Sequence, residues 1–372
     1  MLRPLAAFYF FYFAALGALL PYWGPYLAAR GFDGPEIGLL LGVLAATKVF
    51  APYLWGRLAD ANGRRLALVR LASWATGGCF LLVPWVQGTA AMALVTAAFG
   101  FFWNAALPQV EAATLSLLGR RAPHYGRIRV WGTLGFIAAV WGVGPLLDRH
   151  GMHALPTVVL ALFAGMALAA SAVPDAGEVP GRVRPRPLGP VLRRRAVQAL
   201  LAAAFLMQLS FGAYYGFFSL HAQAQGLSHS LVGLLWALGA VAEVGVFLVA
   251  PRLLAAWPAR RWLVLCFAVT VLRWTVIAAL PPVWWWWVQP LHALGFGLFH
   301  AVMIGAVHRL FPPGCQGRGQ ALYSATSFGA GGALGAYGAG WLWAAGGGAA
   351  AFGAAAVLAA AGALLLRGVK TS

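Results

Sequence analysis

Acidic residues are scarce in this chain: eight Asp and Glu in 372 residues, with none after Glu243. Charged residues of both signs make up only 9%, against about 25% in an ordinary soluble domain, which excludes a water-facing globule. Cysteine is scarce as well. Cys79, Cys266 and Cys315 stand alone, with no C-x-x-C and no paired His; they read as small buried or loop thiols, neither a disulfide framework nor a metal site. There is no G-x-x-x-x-G-K-[ST] phosphate loop, so ATP hydrolysis by this chain is excluded. No metal and no cofactor are called for, and nothing points to an enzyme.

What is abundant is apolar sequence. The chain is 62% hydrophobic, with a mean hydropathy of +0.78. Runs of 18 or more apolar residues mark spanning helices. They fall at about 5–29, 36–55, 66–86, 90–118, 128–147, 153–173, 196–222, 230–250, 262–280, 283–308, 319–343 and 348–366. The expected fold class is therefore an all-α, multi-pass membrane protein of twelve helices. The first run is long enough to span and lacks a clear cleavage site, so it is expected to stay in the mature protein.

A formal charge of +18 raises nucleic acid as a partner, and the distribution removes it. Of the 26 Lys and Arg, Arg30 and Arg149 fall on one side, Lys48 and Arg273 fall inside helices, and all the others fall on the opposite side. Such one-sidedness orients a membrane protein and places both termini in the cytoplasm. The sizeable polar break, 174–195, is rich in Pro and Arg and reads as a cytoplasmic linker. Three regions follow: a six-helix bundle over 1–173, the linker over 174–195, and a second six-helix bundle over 196–372.

The halves resemble each other. Gly31 to Leu40 recurs 195 positions later as Gly226 to Leu235, and the same offset carries Arg57 onto Arg252. It also carries Lys48 onto Glu243, so opposite charges at equivalent places are expected to face a central cavity at mid-depth. Trp284 to Trp287 reads as an aromatic belt at the outer interface. Gly331-x-x-x-Gly335 reads as close helix packing rather than a dinucleotide loop.

Buried charge costs at least ~2.5–3.5 kcal/mol per group inside a bilayer, so the few intramembrane ions are candidate functional residues. Asn104, Pro108 and Glu111 share one face of the fourth helix. Arg129 opens the fifth, eighteen residues after Glu111, and antiparallel neighbours bring the two charges within pairing reach. In the second half, Trp236 and Glu243 share a face of the eighth helix, Arg273 lies mid-way along the ninth, and His292 and His300 are on the tenth. Carboxylate, guanidinium and imidazole on consecutive helices are expected to form a proton relay, tuned by burial and by the neighbouring charge. Tyr214 and Tyr215 with Gln320 and Tyr323 offer rings with polar tips for a flat ligand.

Gly56-Arg-Leu-Ala-Asp60-Ala-Asn-Gly63-Arg64-Arg65 is a charged clasp between the second and third runs. Gly56 and Gly63 allow a close turn, and Asp60 can latch an Arg or a helix N-terminus. The spacing G-x-L-x-D-x-x-G-R-R resembles the signature loop of the major facilitator superfamily, which implies two pseudo-symmetric six-helix bundles that alternate access to a small-molecule substrate. Asn104, Pro108, Glu111, Gly126, Arg127 and Arg129 resemble the helix 4–5 pattern of the lactose permease family, as do Arg273 and Leu291-His292. That resemblance implies roles in substrate binding for Glu111 and Arg129. Gly295 replaces the helix 10 carboxylate of that family.

The resemblance to the phenylpropionate permease branch covers nearly the full length. It includes Leu20-Pro-Tyr-Trp, Ile37 to Gly42, Lys48, Tyr125-Gly-x-x-Arg-x-Trp-Gly132, Ala213 to Phe217, Val241 to Val244, Arg273-Trp274 and Gln320-Ala-x-Tyr-Ser324. It implies proton-linked uptake of an aromatic carboxylate across a bacterial-type inner membrane.

The expected substrate-binding set is Lys48, Asn104, Glu111, Arg129, Tyr214, Tyr215, Trp236, Gln320 and Tyr323. The expected proton-coupling set is Glu243, Arg273, His292 and His300, and gating is expected of Gly56, Asp60, Gly63, Arg64 and Arg65. The partners are a small-molecule substrate, protons and the lipid bilayer, and the chain is read as a monomer. Sugar or nucleoside symport, or multidrug efflux, are the alternatives. Efflux of apolar cations would want an acidic cavity, whereas here Lys48, Arg129 and Arg273 outnumber two acids. A receptor or scaffold would want an appended soluble domain.

Overall fold

The structure is a computed structural model and describes residues 2–119, 124–174, 188–312 and 315–366. Arg120, Arg121, Asp175, Glu178, Arg182, Arg184, Arg186, Arg367, Lys370 and most of the expected linker lie outside the described residues.

Among the described residues the chain is helical throughout, and ten helices are long and apolar enough to cross a membrane. In order they begin with α1 (Leu2–Ala29), α2 (Gly34–Asn62), α3 (Arg65–Phe80), α4 (Thr89–Leu118), α5 (Tyr125–His150) and α6 (Leu155–Ser171). There follow α7 (Arg195–Ala224), α8 (His229–Ala256) and α9 (Ala259–Ala279). Helix α10 opens with a π-helical segment, Ala293–Leu298, and continues as Phe299–Leu310. Helix α11 begins as Gln316–Ser324, passes through a second π-helical segment, Ala325–Gly331, and enters the run Gly332–Leu365. That run breaks at Gly346 and Gly347, and the part beyond the break is α12. Gly347 has φ +60°, a conformation open to glycine and strained for a side chain. Counting α3, which is only 16 residues long, and both sides of that break, the twelve expected spans are present.

Two elements differ from expectation. Helix α2 runs on to Asn62, so Gly56 and Asp60 lie in its last turns and the turn itself is confined to Gly63 (φ +61°) and Arg64. Hydropathy marks where lipid ends, but Arg57 and Asp60 are tolerated by a helix that continues into water. The tenth span is not continuous: Pro282–Trp284 is a 3-10 turn, Trp285–Val288 is a single helical turn, and the chain turns again before His292. Pro281, Pro282 and Pro290 remove backbone donors there. In the tryptophan run, Trp284, Trp286 and Trp287 are exposed, whereas Trp285 is fully buried and donates to the Leu280 carbonyl.

The chain clusters into two compact units. Unit 1 comprises Met1–Phe32, Val43–Gly181 and Ser228–Leu234; unit 2 comprises Asp33–Gly42, Arg182–Leu227 and Leu235–Ser372. In unit 1, α1 packs along α5 and α6, and α3 packs on α4 and α6. In unit 2, α7 packs along the α11–α12 run, which also covers α9.

Glycine seams repeat with the 195-residue offset. A Cβ at Gly17 would lie 2.6 Å from the Phe136 carbonyl oxygen, and one at Gly212 would lie 2.1 Å from the Gly335 carbonyl carbon. One at Gly38 would lie 2.7 Å from the Ala336 oxygen, and one at Gly233 would lie 2.4 Å from the Val140 oxygen. Bare backbones lie against each other at these four places, as small residues allow in membrane helices. The start of α8 is also capped in unit 1: Asp148 on α5 accepts from the His229 and Ser230 backbone N–H groups at 2.9 Å each, from His229 Nδ1 at 2.8 Å, and from the Ser230 hydroxyl.

Candidate functional site

Each unit gathers its own cluster of buried polar groups. In unit 1 the cluster is built by α1, α2, α4 and α5. Glu111 Oε1 lies 3.7 Å from Arg129 Nε, with side-chain exposures of 38% and 31%. Each partner of the pair is therefore about one-third accessible rather than enclosed. The Arg129 guanidinium lies 4.0 Å from the centre of the Phe13 ring and 5.6 Å from that of Tyr9, an attraction between cation and ring face. Gly132 makes room for this stack, because a Cβ there would meet Phe13 at 2.7 Å and Arg129 Nη1 at 2.8 Å.

Asn104 Nδ2 donates to Thr47 Oγ1 at 2.8 Å, and Thr47 in turn donates to the Leu44 carbonyl. The Asn104 amide thus joins α4 to α2 next to Lys48. Lys48 is itself accessible and, among the described residues, makes no hydrogen bond or ion pair.

The cluster of unit 2 centres on Arg273, which is 1% exposed. Its Nη1 lies 3.2 Å from His292 Nδ1 and its Nη2 donates to Gln289 Oε1. Its guanidinium carbon is 4.1 Å from the Tyr214 ring centre and 4.6 Å from that of Trp274. A guanidinium has no acceptor, so His292 Nδ1 must accept, and a neutral His292 carries its proton on Nε2. That nitrogen lies 3.8 Å from Glu243 Oε2. Glu243, His292, Arg273 and Gln289 thus form one chain of polar contacts. Among the described residues, two donors within it, Arg273 Nε and Gln289 Nε2, are buried and meet no hydrogen-bond acceptor. Gly297, in the π-helical part of α10, lets Glu243 lie against that helix: a Cβ would meet Glu243 Cγ at 2.7 Å.

Aromatic rings wall this chain. Tyr214 and Trp236 are 4.4 Å apart, Tyr215 is 6.1 Å from Trp236, and Phe296 lies between the rings of His292 (5.2 Å) and His300 (6.5 Å). His300 Nδ1 and the Tyr323 hydroxyl are 3.1 Å apart, so α10 and α11 are joined just outside their π-helical segments. Gln320 is half-buried on α11.

The structure therefore brings together Glu243, Arg273, His292, Tyr214, Tyr215 and Trp236, joins His300 to Tyr323, and pairs Glu111 with Arg129. In the clasp, Asp60 and Arg65 are 2.9 Å apart, whereas Gly56 faces Gln109 from within the helix. Sequence reading missed Gln289, Thr47, Phe13 and Phe296. Gln289 follows the tryptophan run, where a polar residue reads as interface. The hydroxyl of Thr47, beside Lys48 in an otherwise apolar run, is the one signal the sequence carried.

Comparison with known proteins places this arrangement. The solved nucleoside transporter NupG superposes with a TM-score of 0.82 over 98% of this chain and 99% of that one, at 20% identity. A bacterial homolog of the human lysosomal transporter Spinster superposes with a TM-score of 0.76 at 13% identity, covering 98% of this chain and 95% of that one. The fold is that of the major facilitator transporters. At the level of sequence, the "Probable 3-phenylpropionic acid transporter" of Escherichia coli (strain K12) is 29% identical over 351 residues, covering 92% of this chain and 91% of its own. The maltose permease of Geobacillus stearothermophilus is 29% identical over 328 residues, covering 87% and 83%. The family model of the MFS_1 like family matches residues 2–354, and the chain belongs to that family: it is a membrane-spanning transporter near the phenylpropionate branch, not an enzyme.

Proposed function

We propose that this transporter carries a small organic, preferably aromatic, carboxylate into the cell together with a proton, by alternating access across a bacterial-type inner membrane with both termini cytoplasmic. The observation that carries the reading is Lys48, an accessible cation within an apolar helix that, among the described residues, has no hydrogen-bond or ion-pair partner. An uncompensated charge at that depth costs at least ~2.5–3.5 kcal/mol, and a substrate carboxylate supplies the missing counter-ion. Arg129 is the second attracting charge, and Glu111 orients it. The E. coli relative's name supports an aromatic acid, as do the rings around Tyr214, Tyr215 and Trp236.

Glu243 carries the proton. Arg273, His292 and His300 set how readily it does so, and Asn104, Gln320 and Tyr323 complete the polar lining. Gly56, Asp60, Gly63, Arg64 and Arg65 act in gating, and the working unit is a monomer. A sugar is the second reading, favoured by the maltose permease match over 87% of the chain.

The test is uptake in proteoliposomes of labelled phenylpropionate, maltose and a nucleoside, with the outside more acidic than the inside and without a gradient. Phenylpropionate is expected to accumulate only with the gradient. Glu243→Gln is expected to abolish accumulation yet keep exchange of labelled for unlabelled substrate, because a permanently neutral residue mimics the proton-loaded state. Accumulation by Glu243→Gln equal to wild type would refute the proton assignment, and maltose uptake alone would refute the carboxylate.

A further inference from the structure

A second feature of unit 2 is lined by none of those residues. Where the end of α8, the start of α9 and the last turns of α10 come together, a cavity of about 270 Å³ is lined by Leu254, Trp257, Trp262, Val302, Gly305 and Arg309, among others. One wall is a pair of indoles whose ring centres are 4.6 Å apart. Trp262 is buried and donates to the Leu253 carbonyl at 2.9 Å, while Trp257 is 45% exposed. Arg309 also lines the cavity. Its side chain folds back one turn along α10, so that Nη1 lies 3.6 Å from where a Cβ would stand at Gly305. Nothing else approaches that point within 4 Å, so the missing side chain at 305 leaves the cavity open.

Arg309 is exposed and, among the described residues, makes no hydrogen bond or ion pair. No Asp or Glu follows Glu243 in the sequence, while Arg252, Arg260 and Arg261 flank the same helix ends. A groove with an apolar floor, a pair of close, tilted tryptophans and a guanidinium matches the chemistry of the lipid–water boundary. Indoles sit at head-group depth there, and arginine holds a phosphate through parallel N–H donors. An anionic leaflet also attracts such basic ends.

We propose that this cavity is a binding site for an anionic phospholipid of the cytoplasmic leaflet. The phosphodiester oxygens accept from Arg309, and the glycerol and first acyl carbons lie against Leu254, Val302 and the indole faces. A free phosphate ion shares the head-group chemistry but leaves the apolar floor unused, so a lipid is the occupant the lining favours.

The test uses the full-length protein purified in detergent, with phosphatidylglycerol, phosphatidylcholine or inorganic phosphate added and bound lipid counted by native mass spectrometry. Wild type is expected to retain phosphatidylglycerol in preference to phosphatidylcholine. Arg309→Gln is expected to weaken that retention roughly tenfold, the loss of one charge-assisted phosphate contact. Gly305→Leu, which fills the cavity without changing charge, is expected to weaken it as well. Arg261→Gln, outside the cavity, is expected to leave it unchanged. Equal retention by wild type and Arg309→Gln overturns the site. So does an equal loss in Arg261→Gln, which would make the effect one of diffuse charge, and so does displacement of the lipid by millimolar inorganic phosphate.

Discussion

Arg273 is the side chain on which the cluster of unit 2 turns, and its neighbours show what one residue contributes. It sits fully inside the protein, so each N–H that loses its acceptor is stranded away from water. Gln289 supplies one of the two acceptors its Nη atoms use. Gln289→Leu keeps the side chain's bulk and removes that acceptor. Leaving a buried charged donor unsatisfied costs about 1–3 kcal/mol or more, so a lower thermal midpoint than wild type is expected in detergent, along with weakened uptake. Stability unchanged in Gln289→Leu would show that Arg273 takes its acceptor elsewhere. The partners of Arg273 were only half legible in the sequence. A charge in an apolar run announces itself by its cost, which is why Glu111, Arg129, Glu243, Arg273 and His292 stood out. An uncharged amide such as Gln289, placed by the helix break at Pro290, carries no such mark, and no local period points its side chain at α9.

At the scale of the element, hydropathy located the spans because the bilayer sets their length, and it missed what happens within them. The π-helical segments of α10 and α11 lie in Gly- and Ala-rich sequence with no periodic apolar face to register a widened turn. The extension of α2 to Asn62 was hidden because charge marks the end of lipid contact, not of the helix. The glycine seams were more legible, since the 195-residue repeat already matched Gly38 with Gly233. What the repeat did not show is that Gly17 and Gly212 are matched by close backbone approach as well as by offset. Gly212 meets backbone on the facing helix, which cannot step aside as a side-chain tip could. Gly212→Ala is therefore expected to destabilise by about 1–3 kcal/mol through overpacking, read as a lower midpoint in thermal unfolding. Gly245 on α8 has nothing within 4 Å, and Gly245→Ala is expected to hold or slightly raise the midpoint, by up to ~1 kcal/mol from helix propensity alone. Equal effects at the two positions would show that the α7–α11 seam is looser than the structure has it.

At the scale of the whole molecule, the compact units do not follow the sequence halves: the first residues of α8 belong with α5 in unit 1, and the first residues of α2 belong with unit 2. Asp148 is the polar element of the first of these attachments. It satisfies two backbone donors at the start of α8, which a helix N-terminus otherwise leaves open, and its charge matches the positive end of that helix. Under the proposed alternating-access cycle, in which the two halves of the repeat move against each other, the start of α8 is expected to part from α5 once per cycle. Joining them covalently is then expected to stop the cycle without touching the substrate groups. Asp148→Cys combined with Ser230→Cys, whose native side chains are in hydrogen-bond contact, provides such a tie. The native thiols interfere little, Cys266 and Cys315 being buried and Cys79 partly so. Oxidation of the double variant is expected to arrest uptake and a reductant to restore it, with each single variant insensitive to oxidant. Full-rate transport by the oxidised, cross-linked protein would mean that α5 and the start of α8 move as one piece, and the release would have to take place at α2 alone.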